Sequence, residues 1–153
     1  LTLPTLKEKN IKVNNKIIHQ SKLLKYFEDQ NDIEKVEEDL NKLLKSIKKN
    51  KDYNVSNKDL ILLESLISDG VKIKKNYKNM FNFDQSNVPT DIQLLINNNE
   101  VGMVLLRLVE IIGEDDLKNL DSDTLYFMST VLNQLNLDSV RNKIILKVLP
   151  LKI

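Results

Sequence analysis

The stretch from Val101 to Ile112 constrains the fold more than any other part of the chain. Within it only Arg107 and Glu110 carry polar side chains. A helix that is apolar on nearly every side has no face for water and must be enclosed by neighbouring elements. The run is about 12 residues long, well short of the roughly 20 that a membrane-spanning helix needs. It therefore predicts the buried central helix of an all-α domain with no membrane span, in which a charge at Leu106 or Leu108 should cause unfolding.

Periodic apolar positions and capping residues predict further helices along most of the chain. The first predicted helix covers residues 15–29, and the second is capped by Asn31 and has apolar Ile33, Val36, Leu40, Leu43 and Ile47. The third begins with a capping box at Ser56 and Asp59 and ends at Gly70, a short helix follows near residues 75–81, and the next begins with a second capping box at Thr90 and Gln93. After residues 101–112, one helix is capped by Asp121 and ends at Asn136, and the last is capped by Asp138 and ends at Pro150.

Short connections between these helices favour antiparallel packing of sequential neighbours. We therefore expect the second and third helices to form a hairpin. The whole chain is expected to form stacked antiparallel helical hairpins, either an α-solenoid-like segment or an irregular helical bundle, around residues 101–112. Residues 1–14 contain Pro4 and no sustained helical period, which predicts an extended arm or linker. Residues 15–153 are then a single all-α domain.

Charge is distributed unevenly, although the formal net charge is only +1. Residues 1–80 carry 17 Lys against 12 Asp and Glu, whereas residues 81–153 carry 6 Lys and Arg against 10 Asp and Glu. Two lysine clusters stand out, namely Lys45, Lys48, Lys49 and Lys51, and Lys72, Lys74, Lys75 and Lys78. With Tyr53 and Tyr77 beside them, these clusters are candidates for a nucleic-acid-binding patch. Neither cluster contains Arg, and interspersed acids favour an ordinary solvated helix surface instead.

Catalytic chemistry finds few suitable residues. The chain has no Cys, a single His at His19, and only Gly70, Gly102 and Gly113 as glycines. Zinc sites prefer Cys and His ligands, nucleophilic catalysis needs a base, and phosphate loops need clustered glycines. We predict no catalytic residue, no metal site and no cofactor. His19 is expected to be a surface or half-buried helix residue.

The acidic side chains allow a structural and a functional interpretation. Glu114, Asp115 and Asp116, with Asp121 and Asp123, could in principle hold a hard cation. They lack the order of ligands of a calcium loop, and Asp residues at helix starts are favoured as caps. We therefore expect capping. Arg107 and Glu110, three residues apart, are expected to form one buried ion pair on the central helix.

Residues 92–153 resemble the carboxyl end of large, uncharacterised helical-repeat proteins of α-proteobacteria. The resemblance rests above all on residues 104–114, 123–126 and 141–152, with fainter echoes at residues 63–73. It implies that the chain is the C-terminal part of a longer protein and that its location is exported or periplasmic. It brings no activity and no catalytic residue.

Three functions remain open at this point. The favoured one is a non-enzymatic scaffolding or interaction domain that holds a protein or peptide partner in a groove between helical hairpins. The alternative is a nucleic-acid-binding helical module that uses the two lysine clusters. A hydrolase or metal enzyme is the third. The sequence does not identify the partner, the compartment or the oligomeric state.

Overall fold

The computed structural model describes residues 11–12, 14–29, 32–83 and 88–152 and has the predicted all-α fold. The helices are α1 (Tyr26–Asp29), α2 (Ile33–Lys48), α3 (Asn57–Ser68), α4 (Lys75–Lys78), α5 (Thr90–Asn97), α6 (Val101–Ile112), α7 (Ser122–Gln134) and α8 (Asp138–Val148). Short 3-10 turns occur at Ile18–Gln20, Lys22–Lys25 and Leu117–Asn119. Two strands of two residues each, β1 (Ile11–Lys12) and β2 (Leu151–Lys152), form an antiparallel pair.

The helix at the centre of the core is α3 rather than α6. Its buried residues are Asp59, Leu60, Ile61, Leu62, Leu63, Ser65 and Leu66. It begins with the predicted capping box, in which Ser56 and Asp59 each accept a hydrogen bond from the other's backbone N–H. It is followed, as predicted, by Gly70 with a φ of +102°. Its most extensive contacts are with α7 and then with the Ile18–Gln20 turn. Close contacts between α2 and α3 are fewer, and the expected hairpin of the second and third helices stays a prediction.

Apolar side chains form two clusters. The larger contains residues from the N-terminal turns and from α1 to α4, with Leu125 and Tyr126 of α7 and three residues at the end of the chain, Ile145, Val148 and Leu149. The smaller cluster consists of Ile92, Ile96, Val104, Leu108, Met128, Val131 and Leu132. Helix α6 contributes to the smaller cluster only, through Val104 and Leu108. This places α6 on the outside of the molecule, next to α5.

The prediction of one continuous helix over residues 15–29 is wrong, because Ser21 interrupts the helical conformation. This residue has an extended backbone, with a ψ of 175°, between the Ile18–Gln20 and Lys22–Lys25 turns. Its hydroxyl donates to the carbonyl of Ile18 and accepts from the backbone N–H of Leu23. Serine side chains that bond to nearby backbone groups compete with helical hydrogen bonds. Only Tyr26–Asp29 is α-helical in this region.

Helix α2 is amphipathic as predicted, but its cap is Asp32. The Asp32 carboxylate accepts a hydrogen bond from the backbone N–H of Lys35 at 3.0 Å. Asn31, which the sequence suggested as the cap, lies outside the described residues. The apolar stripe is buried at Leu40, Leu44 and Ile47, whereas the first turn of the helix is exposed.

Two other capping predictions are corrected by one residue. The carbonyl of Pro89 already accepts a helical hydrogen bond, so Thr90 is the first residue of α5 and not its cap. In the same way α8 follows Leu137, and Asp138 lies inside its first turn. The predicted left-handed turn at Asn136 is confirmed by a φ of +56°. The residue at the cap position of α8 is Leu137, whose apolar side chain cannot accept a capping hydrogen bond.

The connection between α3 and α5 packs over the core, as its aromatic residues predicted. Val71, Ile73, Tyr77 and Phe81 are buried, and the short helix α4 lies within the predicted range. Most of the predicted arm at residues 1–14 falls outside the described residues. Within it, Ile11 pairs with Lys152 and Lys12 with Leu151.

A buried ion pair joins α3 to α8. Arg141 is 1% exposed and donates two hydrogen bonds to Asp69, from Nη1 to Oδ1 at 2.8 Å and from Nη2 to Oδ2 at 2.7 Å. It also donates to the side-chain oxygens of Asn133 and Asn142. Tyr26 donates its hydroxyl hydrogen to Asp69 at 2.9 Å. Burial and this bond to Asp69 raise the pKa of Tyr26 far above its usual value. The ion pair and its hydrogen bonds thus tie α1, α3, α7 and α8 together.

Candidate interaction surface

The feature that most needs explanation is the exposed side of α6. The helix has the predicted bounds, Val101–Ile112, but it is not enclosed. Its exposed apolar side chains are Met103 (51%), Leu105 (36%), Leu106 (51%), Val109 (61%) and Ile111 (46%). The prediction of a central buried helix is therefore wrong. The expectation that a charge at Leu106 must unfold the chain no longer follows, because this side chain is exposed. Leu108, in contrast, is buried as expected.

The geometry of a helix explains this arrangement. Val104 and Leu108, four residues apart, lie on the same side and enter the smaller cluster. Met103, Leu106 and Val109 recur at three-residue steps and so lie along the opposite side. We call Met103, Leu105, Leu106 and Val109 the α6 face. The sequence of α6 is also compatible with a buried helix, but in this fold only the side with Val104 and Leu108 is covered by other parts of the protein.

An ion pair borders the α6 face. Arg107 and Glu110 do lie within reach of each other, at 3.8 Å, but both are exposed. The expectation of a buried pair is therefore wrong. The shorter contact of Arg107 is with Asp91 on α5, at 2.6 Å. This contact links the two neighbouring helices at the surface, where such pairs contribute little to stability.

Two of the five acidic residues after α6, Asp116 and Asp121, act as caps, as expected. Asp116 accepts from the backbone N–H of Lys118 at the start of a 3-10 turn. Asp121 accepts from the backbone N–H of Thr124 at the start of α7. Hydrogen bonds from the side chain and the backbone of Thr124 lower the pKa of Asp121. Asp123 instead accepts from the side-chain amide of Asn57 on α3.

The two lysine clusters adjoin each other. Lys48 near the end of α2 donates to the carbonyl of Asn76 at 3.3 Å and lies 5.6 Å from the ring centre of Tyr77. A cleft of about 640 Å³ lies between α2 and α4. It is lined by Glu34, Glu37, Glu38, Asn41, Lys42, Lys45, Lys74 and Tyr77. Three carboxylates therefore stand among the lysines of this cleft.

His19 takes part in a compact polar cluster that the sequence did not indicate. Its ring is 12% exposed, and its Nδ1 lies 2.6 Å from the buried carboxylate of Asp59. Asp59 also accepts from the hydroxyl of Tyr53 at 2.7 Å and from the backbone N–H groups of His19 and Ser56. Burial alone would raise the pKa of Asp59, but these hydrogen bonds lower it overall. Burial raises the pKa of Tyr53 far above its usual value.

The geometry of this cluster differs from that of a Ser-His-Asp triad. The ionised Asp59 can only accept, so Nδ1 of His19 carries the shared proton. The hydroxyl of Ser56 lies 3.4 Å from the same nitrogen, which has no lone pair left to take a proton. A triad needs the serine at the other ring nitrogen, Nε2. That nitrogen lies 3.4 Å from the side-chain nitrogen of Gln20. The cluster instead ties the N-terminal turns to α3.

Within the described part of the chain, no group of three or more histidine and carboxylate side chains is placed to hold a metal ion. None of the helices in that part is both long and apolar enough to cross a membrane.

Comparison of the chain with models of known protein families, with curated proteins and with solved structures finds no match. The resemblance to helical-repeat proteins of α-proteobacteria therefore stays a prediction.

Proposed function

We propose that the chain is a non-enzymatic interaction domain that binds a protein or peptide partner through the α6 face. One observation carries the proposal: the four large apolar side chains of the α6 face, all on a single 12-residue helix, are each more than a third exposed. The largest apolar patch on a typical monomer covers only about 300–600 Å² and is often functional. A concentration of this kind on one helix is characteristic of a surface that another protein covers.

The energetics favour a partner that adds contacts of its own. Full burial of a leucine or valine side chain contributes about 1.5–3 kcal/mol, so the half still exposed on each residue contributes roughly 1 kcal/mol. Association costs about 4–15 kcal/mol in lost freedom of motion. The α6 face by itself therefore supports only modest affinity. A helix laid along α6, which is about 18 Å long, would supply the remaining contacts through its flanking side chains.

The proposal is tested by selecting helical peptides from a displayed library against the chain and mapping the bound site by methyl NMR. We expect the shifts to concentrate at Leu105, Leu106 and Val109. The double variant Leu106→Ser/Val109→Ser should weaken binding at least tenfold. The matched control is Ile33→Ser on α2, where an equally apolar but isolated side chain is 39% exposed. Peptides that bind the α6 variant as tightly as the natural chain would refute the proposal.

Nucleic-acid binding is a second candidate, supported by the contact of Lys48 with Asn76 and Tyr77, which brings the two lysine clusters together. The carboxylates in the cleft between α2 and α4 weigh against it. The test is fluorescence anisotropy with a labelled single-stranded oligonucleotide. Binding through lysine–phosphate contacts should weaken steeply between about 50 and 200 mM salt, and the variant Lys45→Gln/Lys74→Gln should reduce that salt dependence. Absent or salt-insensitive binding rejects this candidate.

A further inference from the structure

We infer that the partner of the α6 face is a cationic amphipathic helix, with an apolar stripe flanked by Lys or Arg. This inference rests on the proposed function and adds the chemistry of the partner to it. It follows from the charges around the α6 face, which are mostly negative. Complementary charge selects the partner and steers its approach, whereas the apolar stripe supplies the contact area.

Carboxylates surround the α6 face on several sides. Residues 88–117 contain six Asp and Glu and a single cation, Arg107. That cation is already paired with Asp91 at 2.6 Å. Glu100 precedes the first residue of α6, Glu110 lies on its exposed side, and Glu114 and Asp115 follow its last turn; all four are exposed. A partner helix along α6 would therefore meet negative charge at both of its ends and on one flank.

The same charges argue against two other occupants. In a symmetric dimer formed through α6, the carboxylates of one copy would face those of the second, because a two-fold interface places the same patch on both sides. Like charges placed opposite each other across an interface are costly. An anionic lipid surface would be repelled in the same way, since membrane-binding helices carry Lys and Arg beside their apolar face. A cationic helix, unlike a second copy of the chain or an anionic lipid surface, would be attracted by the carboxylates around the α6 face.

The experiment uses three synthetic helical peptides of about 20 residues that share one leucine stripe and carry Lys, Gln or Glu on its flanks. Binding to the chain is measured by titration calorimetry. We expect the Lys peptide to bind at least tenfold tighter than the Gln peptide, and the Glu peptide weakest. The difference between the peptides should narrow between about 50 and 300 mM salt, because these charges are exposed to solvent.

Two variants separate the inference from the proposed function. Glu100→Gln/Glu110→Gln/Glu114→Gln/Asp115→Asn should abolish the preference for the Lys peptide and leave binding of the Gln peptide unchanged. Leu106→Ser/Val109→Ser should weaken all three peptides. Equal binding of the three peptides to the natural chain overturns the inference and leaves the proposed function standing, whereas no binding of any peptide overturns both. A dimer in sedimentation that excludes the peptides, or a preference of the α6 face for anionic vesicles over neutral ones, also overturns the inference.

Discussion

Replacing Arg141 by methionine should remove a large part of the stability of the fold. The guanidinium is 1% exposed and donates two hydrogen bonds to Asp69, at 2.8 and 2.7 Å. Without it the Asp69 carboxylate, itself only 7% exposed, stays buried with Tyr26 as a hydrogen-bond donor but without its cation. Removing one partner of a buried ion pair costs about 3–5 kcal/mol. Since the free energy of unfolding of a domain is about 5–15 kcal/mol, this loss is a large fraction of the stability.

The assay is urea unfolding followed by circular dichroism, with an unchanged slope as evidence that the midpoint reports stability. The control is Arg107→Met, which removes an exposed guanidinium from its pairs with Asp91 and Glu110 and should cost less than about 1 kcal/mol. Adding Asp69→Asn to Arg141→Met removes the buried negative charge and should recover at least about 1 kcal/mol. The reasoning fails if Arg141→Met costs no more than the control, or if the double variant is less stable than Arg141→Met alone.

Two further perturbations test other parts of the structure. Leu108→Ala should lower the free energy of unfolding by about 2–4 kcal/mol, because Leu108 is 4% exposed, whereas Leu106→Ala should change it by less than about 0.5 kcal/mol. Equal losses in thermal or urea unfolding would mean that α6 is enclosed after all. The lowered pKa of Asp59 contributes stability that is present above its unfolded pKa of about 3.9 and is lost as the pH falls through the folded pKa. Asp59→Asn should therefore reduce stability at pH 6 and flatten the fall in stability below about pH 4; parallel pH profiles of the two proteins would contradict this.

The bounds of α6 were predictable, but its surroundings were not. A run of apolar residues from Val101 to Ile112, bounded by Asn99 with a φ of +57° and Gly113 with a φ of +61°, marks a helix by local preferences alone. Burial depends on which other helices pack against that helix, and those contacts are distant in sequence. The shorter run at residues 60–63 of α3 became the centre of the core, because α7 and the N-terminal turns pack around it.

The sequence predicted correctly those caps and turns whose hydrogen bonds join residues close to each other in the chain. The capping box of Ser56 and Asp59, the Asp121 cap and the turns at Gly70 and Asn136 each involve residues that are close in sequence. The buried contact of Arg141 with Asp69 joins residues 72 positions apart, and nothing in the neighbourhood of either residue indicates it. The contact of His19 with Asp59 joins residues 40 positions apart in the same way. The charged surroundings of the α6 face were visible in the sequence as an acidic C-terminal half, but their meaning depended on finding that helix exposed.

The β1–β2 pair places the backbone at Ile11 directly opposite that at Lys152. Segments that are neighbours in space can be joined by a short linker, and chain openings are tolerated at exposed loop tips. The turn after α2, with Lys51 and Asp52 exposed, is such a tip. A circular permutant that begins at Asp52 would therefore have α3, the element at the middle of the core, as its first long helix, and would interrupt none of the helices described above.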